Sequence, residues 1–141
     1  MPIDKKYTPE SMTQFGAPTL PGYLGIEVTA LGEGTLSARL DVKPHLLAPN
    51  GFLHAGTVVT LADTACGYGC FINLPEGANG FTTIELKSNH LGTARDGAIA
   101  VTATAAHLGK TTQVWDAVVT NEANGKTIAL FRCTQMVLYP K

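Results

Sequence analysis

Charge is scarce in this chain. Lys, Arg, Asp and Glu make up 15% of its 141 residues, against about a quarter in an average globular domain. So few charges to solvate a surface point to burial of part of it against another subunit. Neither sign is in excess. Ten basic and eleven acidic residues leave a net charge of -1 with no basic run, so nucleic-acid binding lacks electrostatic support. Cysteine is sparse too. Cys66, Cys70 and Cys133 form no CxxC pair, and an odd set of thiols without that spacing fits reduced cysteines in a cytoplasm. No apolar segment follows Lys5 and Lys6, so no signal peptide is expected. The stretch 44–75 is broken by Pro49, Asn50, His54, Asp63 and several glycines, which argues against a transmembrane helix and a membrane partner. His45, His54, His90 and His107 show no metal-ligand spacing. No Gly-rich phosphate loop and no Gly-x-Ser-x-Gly elbow occurs.

What is present suits one globular domain. Hydrophobic residues reach 45%, and a chain of this length buries roughly two thirds of its unfolded surface without disulfides or metal. Residues 1–20 are polar and carry three prolines, with a fourth at Pro21; they read as an arm, or as a short amphipathic helix between Pro9 and Gly16. Residues 21–141 read as a single domain. Leu24, Ile26 and Val28 alternate in a strand over 23–30. Leu36, Ala38, Leu40 and Val42 do so over 35–42, and the Gly32-Glu33-Gly34 turn joins the two as a hairpin. After an irregular segment, 57–72 reads as a helix with Val58, Val59, Leu61, Ala62, Ala65, Cys66 and Phe71 spread all round the wheel. Such a helix is expected to be buried on every side. Strands over 80–88, 98–108, 111–120 and 127–138 follow as a meander, with Asn124-Gly125 a strong hairpin signal. The expected architecture is α+β: an antiparallel sheet of five or six strands curled around one long central helix. A second subunit would cover the other face of the sheet.

Asp63 is the anomaly. It is the only Asp, Glu, Lys or Arg between Lys43 and Glu76, midway along an apolar helix where an unpaired carboxylate is costly. Desolvation would raise its pKa and suit it to general-base work; a wetted stripe of the helix is the plainer reading. Gly67, one turn on, would leave room for a substrate beside the carboxylate or serve close helix–sheet packing, and the packing reading explains Gly69 as well as function does. Before the helix stands His54-Ala55-Gly56. First-turn amides at Ala55 and Gly56 could hold an oxyanion, with His54 orienting substrate or simply bonding loop backbone. Asn50 either binds a water or shapes the Pro49-Asn50-Gly51 turn. Lys110, in a hairpin turn, is a phosphate contact or an exposed lysine. The cysteines read as small buried hydrophobes.

The run Asn50-Gly51-Phe52-Leu53-His54-Ala55-Gly56 followed by TVVTLADTACGYGC resembles the signature of hotdog-fold acyl-CoA thioesterases. It is closest to the phenylacetate-degradation and 4-hydroxybenzoyl-CoA branch. Thr83-Ile84-Glu85-Leu86 and Leu108-Gly109-Lys110-Thr111 extend the resemblance, which covers about residues 23–138. It implies the hotdog fold and hydrolysis of an acyl- or aryl-acyl-CoA thioester, with no cofactor beyond the substrate's coenzyme A. Asp63 matches the catalytic carboxylate, as general base or nucleophile. Ala55 N–H matches the oxyanion donor, His54 the signature histidine, Gly67 a water-positioning site, and Lys110 a residue near the nucleotide phosphates. The family's sites form across a homodimer interface, in dimers or tetramers. Three positions depart from the pattern. Ala55 replaces a Gly, tolerable only without positive φ; Ala48 stands where relatives carry Asn or Gln; and Gly67 lacks the usual hydroxyl. The last two motivate an alternative, an acyl-CoA-binding hotdog protein that does not hydrolyse its ligand.

Overall fold

A computed structural model of the chain describes residues 3–141. Its elements are α1 (Pro9–Gly16), α2 (Leu20–Tyr23), β1 (Glu27–Gly32), β2 (Thr35–Asp41), α3 (Ala55–Ile72), β3 (Gly80–His90), β4 (Ala98–Leu108), β5 (Thr112–Asn121) and β6 (Thr127–Leu138). The six strands form one antiparallel sheet in the order β1-β2-β4-β5-β6-β3.

Strand alternation puts one set of side chains against α3. Leu36, Leu40, Ile99, Val101, Trp115, Val119 and Phe131 face inward and are buried, meeting Val58, Leu61, Ala62, Ala65, Cys66 and Cys70 of the helix. Each large apolar side chain so buried stabilises the fold by about 1.5–3 kcal/mol. By length and mean apolarity alone α3 could cross a bilayer, but it packs in the curve of the sheet with half of its residues buried.

Three expectations change. The first strand starts at Glu27, because Pro21 at a helix start nucleates the short α2 and Gly25 (φ +75°) turns the chain behind it. The last four strands are not a simple meander: β3 pairs with β6, so β4 lies beside β2 and β3 forms an outer edge. The helix is also not buried all round. Gly56, Val59, Thr60, Asp63, Thr64, Tyr68 and Phe71 share one side of it, and none is fully buried.

The arm folds as α1. Thr8 caps it in a reciprocal box with Ser11, Pro9 opens its first turn, and Met12 is buried. Thr13 Oγ1 accepts from Val28 N at 2.9 Å, tying α1 to the sheet. The cysteines are free and buried, as small hydrophobes.

Candidate active site

Asp63 sits on the open side of α3. Its Oδ1 is buried without a hydrogen-bond partner among the described residues. Burial, with no compensating donor, holds its carboxyl above the usual carboxylate range. A basic carboxylate aimed at a partly open surface can take a proton from water.

The α3 N-terminus begins two residues earlier than the spacing predicts, because His54 is its N-cap. The ring Nδ1 accepts from Gly56 N at 2.7 Å. That bond requires an unprotonated Nδ1, so the neutral ring carries its proton on Nε2. A Cβ at Gly56 would lie 2.9 Å from Nδ1, so glycine is what lets the ring close onto the helix end. Gly56 N–H is therefore occupied, while Ala55 N–H heads the helix as an orphan donor. Ala55 has no positive φ, so its methyl in place of a glycine is unstrained. An open groove beside His54 is lined by Leu20, Tyr23, His45, Leu46, Gly56 and Thr60.

Other candidates fall differently. Asn50 Oδ1 accepts from Phe52 N at 3.1 Å, so the side chain shapes its turn. Ala48 holds the same turn through its backbone, donating to Phe52 O and accepting from Gly51 N. Gly67 does not leave open space: a Cβ there would meet the Phe81 ring at 3.3 Å, so the ring has come down onto the helix. Lys110 is exposed in the β4–β5 turn. Its neighbours Leu108 and Gly109 line a cavity with Ile72 and Asn73 at the far end of α3, so one chain does not bring Lys110 to His54.

Two buried polar residues carry no signal in the sequence. Gln113 donates to Asn73 O at 3.0 Å and accepts from Trp115 Nε1 at 2.8 Å, closing the end of α3. Gln135 accepts from Thr83 Oγ1 at 2.7 Å, pinning β3 to β6. Their partners are distant in sequence or lie along the same strand face, and only the fold brings the set together.

Residues 50–128 match the family model described as the thioesterase superfamily. The chain belongs to that superfamily. A thioester hydrolase is the enzyme class that follows, and the six-stranded sheet around α3 is its hotdog fold. Relatives include a 1,4-dihydroxy-2-naphthoyl-CoA hydrolase of Listeria monocytogenes, 34% identical over 79% of this chain and 89% of its own length. Another enzyme of the same name, from Escherichia coli K12, is 31% identical over 95% and 97%. Among solved structures, a Haemophilus influenzae thioesterase superposes with a TM-score of 0.90 at 31% identity, covering 99% of this chain and 96% of the other. The Escherichia coli PaaI protein of the phenylacetic acid degradation operon gives 0.80 at 28%, covering 92% and 89%.

Proposed function

We propose that this thioesterase hydrolyses an acyl- or aryl-acyl-coenzyme A to the free acid and coenzyme A, with Asp63 as the catalytic carboxylate. The unpartnered Asp63 carboxylate on the open side of α3 carries the reading. Water attacks the thioester carbonyl and gives its proton to Asp63. The oxyanion is held by Ala55 N–H, with Nε2–H of His54 close by. Collapse of the tetrahedral intermediate breaks the C–S bond, and the proton passes from Asp63 to the departing thiolate. Attack by Asp63 itself, giving an anhydride that water opens, is the second route. Single-turnover hydrolysis in 18O water separates them, since only the anhydride route labels the Asp63 carboxylate.

Distance argues for a second copy of the chain. Ala55 and Asp63 lie eight residues apart on one helix, about 12 Å along its axis. Oxyanion donor and base must both come within about 3 Å of one reacting carbonyl. The Ala55 loop of one subunit therefore faces Asp63 of its partner in this proposal. The outer edge of β3 supports it: the strand is unpaired there and carries Ile84, 55% exposed, and Leu86, 42% exposed. An apolar free edge of this kind favours strand pairing with another copy. Dimers, or dimers of dimers, are the expected assembly. Light scattering that finds only a 14.8 kDa species at micromolar concentration overturns this part.

The reaction is tested by release of free thiol from a panel of aryl-, short- and medium-chain acyl-CoAs. Turnover of at least one is expected. Tight binding of acyl-CoA with no thiol released from any would favour the non-hydrolytic alternative, which the missing side chains at Ala48 and Gly67 motivate.

A further inference from the structure

Five of the chain's ten aromatic residues gather around one part of α3, on the C-terminal side of Asp63. Phe81 lies on Gly67, one turn beyond the carboxylate. Phe71 is two turns beyond it, with the Phe15 ring stacked on it at 5.9 Å and 15° between planes. Phe15 also meets Tyr68 at 6.1 Å, and Tyr7 meets Phe71 edge-on at 5.8 Å. On the N-terminal side of Asp63 the same stripe holds Gly56, Val59 and Thr60, with no ring.

Phe15 does not fit a packing role alone. It remains 63% exposed although it belongs to a well-anchored helix. Met12 fixes α1 to the core, Thr13 bonds the sheet, and the absent side chain of Gly16 leaves room for the Tyr68 ring. An aromatic ring held by such anchors with its outer side free is suited to serve as the wall of a binding site.

We propose that α1 forms the outer wall of the acyl pocket, and that Phe15, stacked on Phe71, makes this thioesterase selective for aryl over short alkyl acyl groups. The proposal rests on the thioesterase reading, with the acyl carbonyl at Asp63. From there the acyl group runs along α3 past Phe81 towards Tyr68, Phe71 and Phe15. About 12 Å of helix separates Asp63 from Phe71, so a flat, extended ring system is needed to reach the stacked rings from the carboxylate. Residue 15 lies outside the stretch that matches the family model.

The test is the ratio of kcat/KM for 2-naphthoyl-CoA, whose second ring extends towards the stack, to that for butyryl-CoA, by thiol release. It is measured in the wild type, in Phe15→Ala, in Phe15→Tyr and in Met12→Ala. The wild type is expected to favour 2-naphthoyl-CoA. Phe15→Ala is expected to lower the ratio about tenfold, the scale at which a lost apolar contact changes discrimination, and Phe15→Tyr to keep it. Met12→Ala loosens the anchor that holds Phe15 on Phe71 and should lower the ratio in the same direction. A wild type without aryl preference overturns the proposal, as does a Phe15→Ala enzyme whose ratio is unchanged. Hydrolysis of neither ester by the wild type overturns the thioesterase reading itself, and this inference with it.

Discussion

The six-membered ring of Trp115 lies against Gly69. A Cβ built on that glycine would fall 2.7 Å from both Cη2 and Cζ3 of the indole. Trp115 is fully buried and its Nε1 is bonded to Gln113, so the ring has nowhere to go. In Gly69→Ala the gain in helix propensity, about 1 kcal/mol, opposes an overpacking cost of about 1–3 kcal/mol. The rigid indole tips the balance to a loss, seen as a Tm lowered by several degrees.

Gly67 makes the opposite case two residues away, on another side of the helix. Its Cβ would meet Phe81 at 3.3 Å, and that ring is only half-buried and free to tilt outward. Gly67→Ala should therefore leave Tm unchanged or raise it by up to about 3 °C, the propensity gain alone. Thermal melts of the two variants side by side check both signs.

Much of this fold is legible in the sequence, because Leu36, Ala38 and Leu40 alternate as a half-buried strand must. The place of β3 is not. Its pairing with β6 is long-range, and an irregularity between Thr83 and Glu85 breaks its alternation. The open stripe of α3 is hidden for a different reason. Val59, Tyr68 and Phe71 are apolar, so composition cannot tell a surface awaiting α1, a substrate or a partner from a core. Asp63 stands out because nothing else charged shares its helix. His54 is missed as a cap because histidine seldom serves as one. Asn50 and Lys110 fit the motif but sit in their own turns.

The cap formed by His54 depends on the glycine beside it. Gly56→Ala places a methyl 2.9 Å from Nδ1 and should displace the ring. Loss of the cap costs about 1 kcal/mol, offset in part by the propensity gain of Ala, so Tm should fall by less than about 3 °C while the displaced imidazole lowers kcat. A variant that melts and turns over like the wild type would separate His54 from both roles.

Subunit mixing tests whether the site is shared. His54→Ala and Asp63→Asn proteins, each impaired alone, are unfolded together and refolded. A shared site predicts recovery of about one quarter of wild-type turnover, since half of randomly paired dimers are mixed and each of these keeps one intact site. No recovery above the separate variants means that both groups act within one chain.

Acid should silence the enzyme early. Burial raises the Asp63 pKa, and the active form is the deprotonated one, so kcat falls as pH drops through a midpoint above that of an ordinary carboxylate. Stability runs the other way. The folded state binds this proton more tightly than the unfolded state, so the stabilising contribution is present at low pH and lost as pH rises through the folded-state pKa. Asp63→Asn should therefore melt about 2–4 °C higher than the wild type at neutral pH, the shift expected for relief of about 1 kcal/mol of desolvation. A kcat profile flat down to pH 4, or a variant that melts lower, would count against a buried, unpaired carboxylate.

The most direct measurement is thiol release by Asp63→Asn beside the wild type, on the best acyl-CoA of the panel, with a melt of each to show that both are folded. Removal of a general base costs about 10²–10⁴-fold in rate, so turnover should fall by that much while the melt stays cooperative. Wild-type turnover in a folded Asp63→Asn enzyme would take Asp63 out of the chemistry.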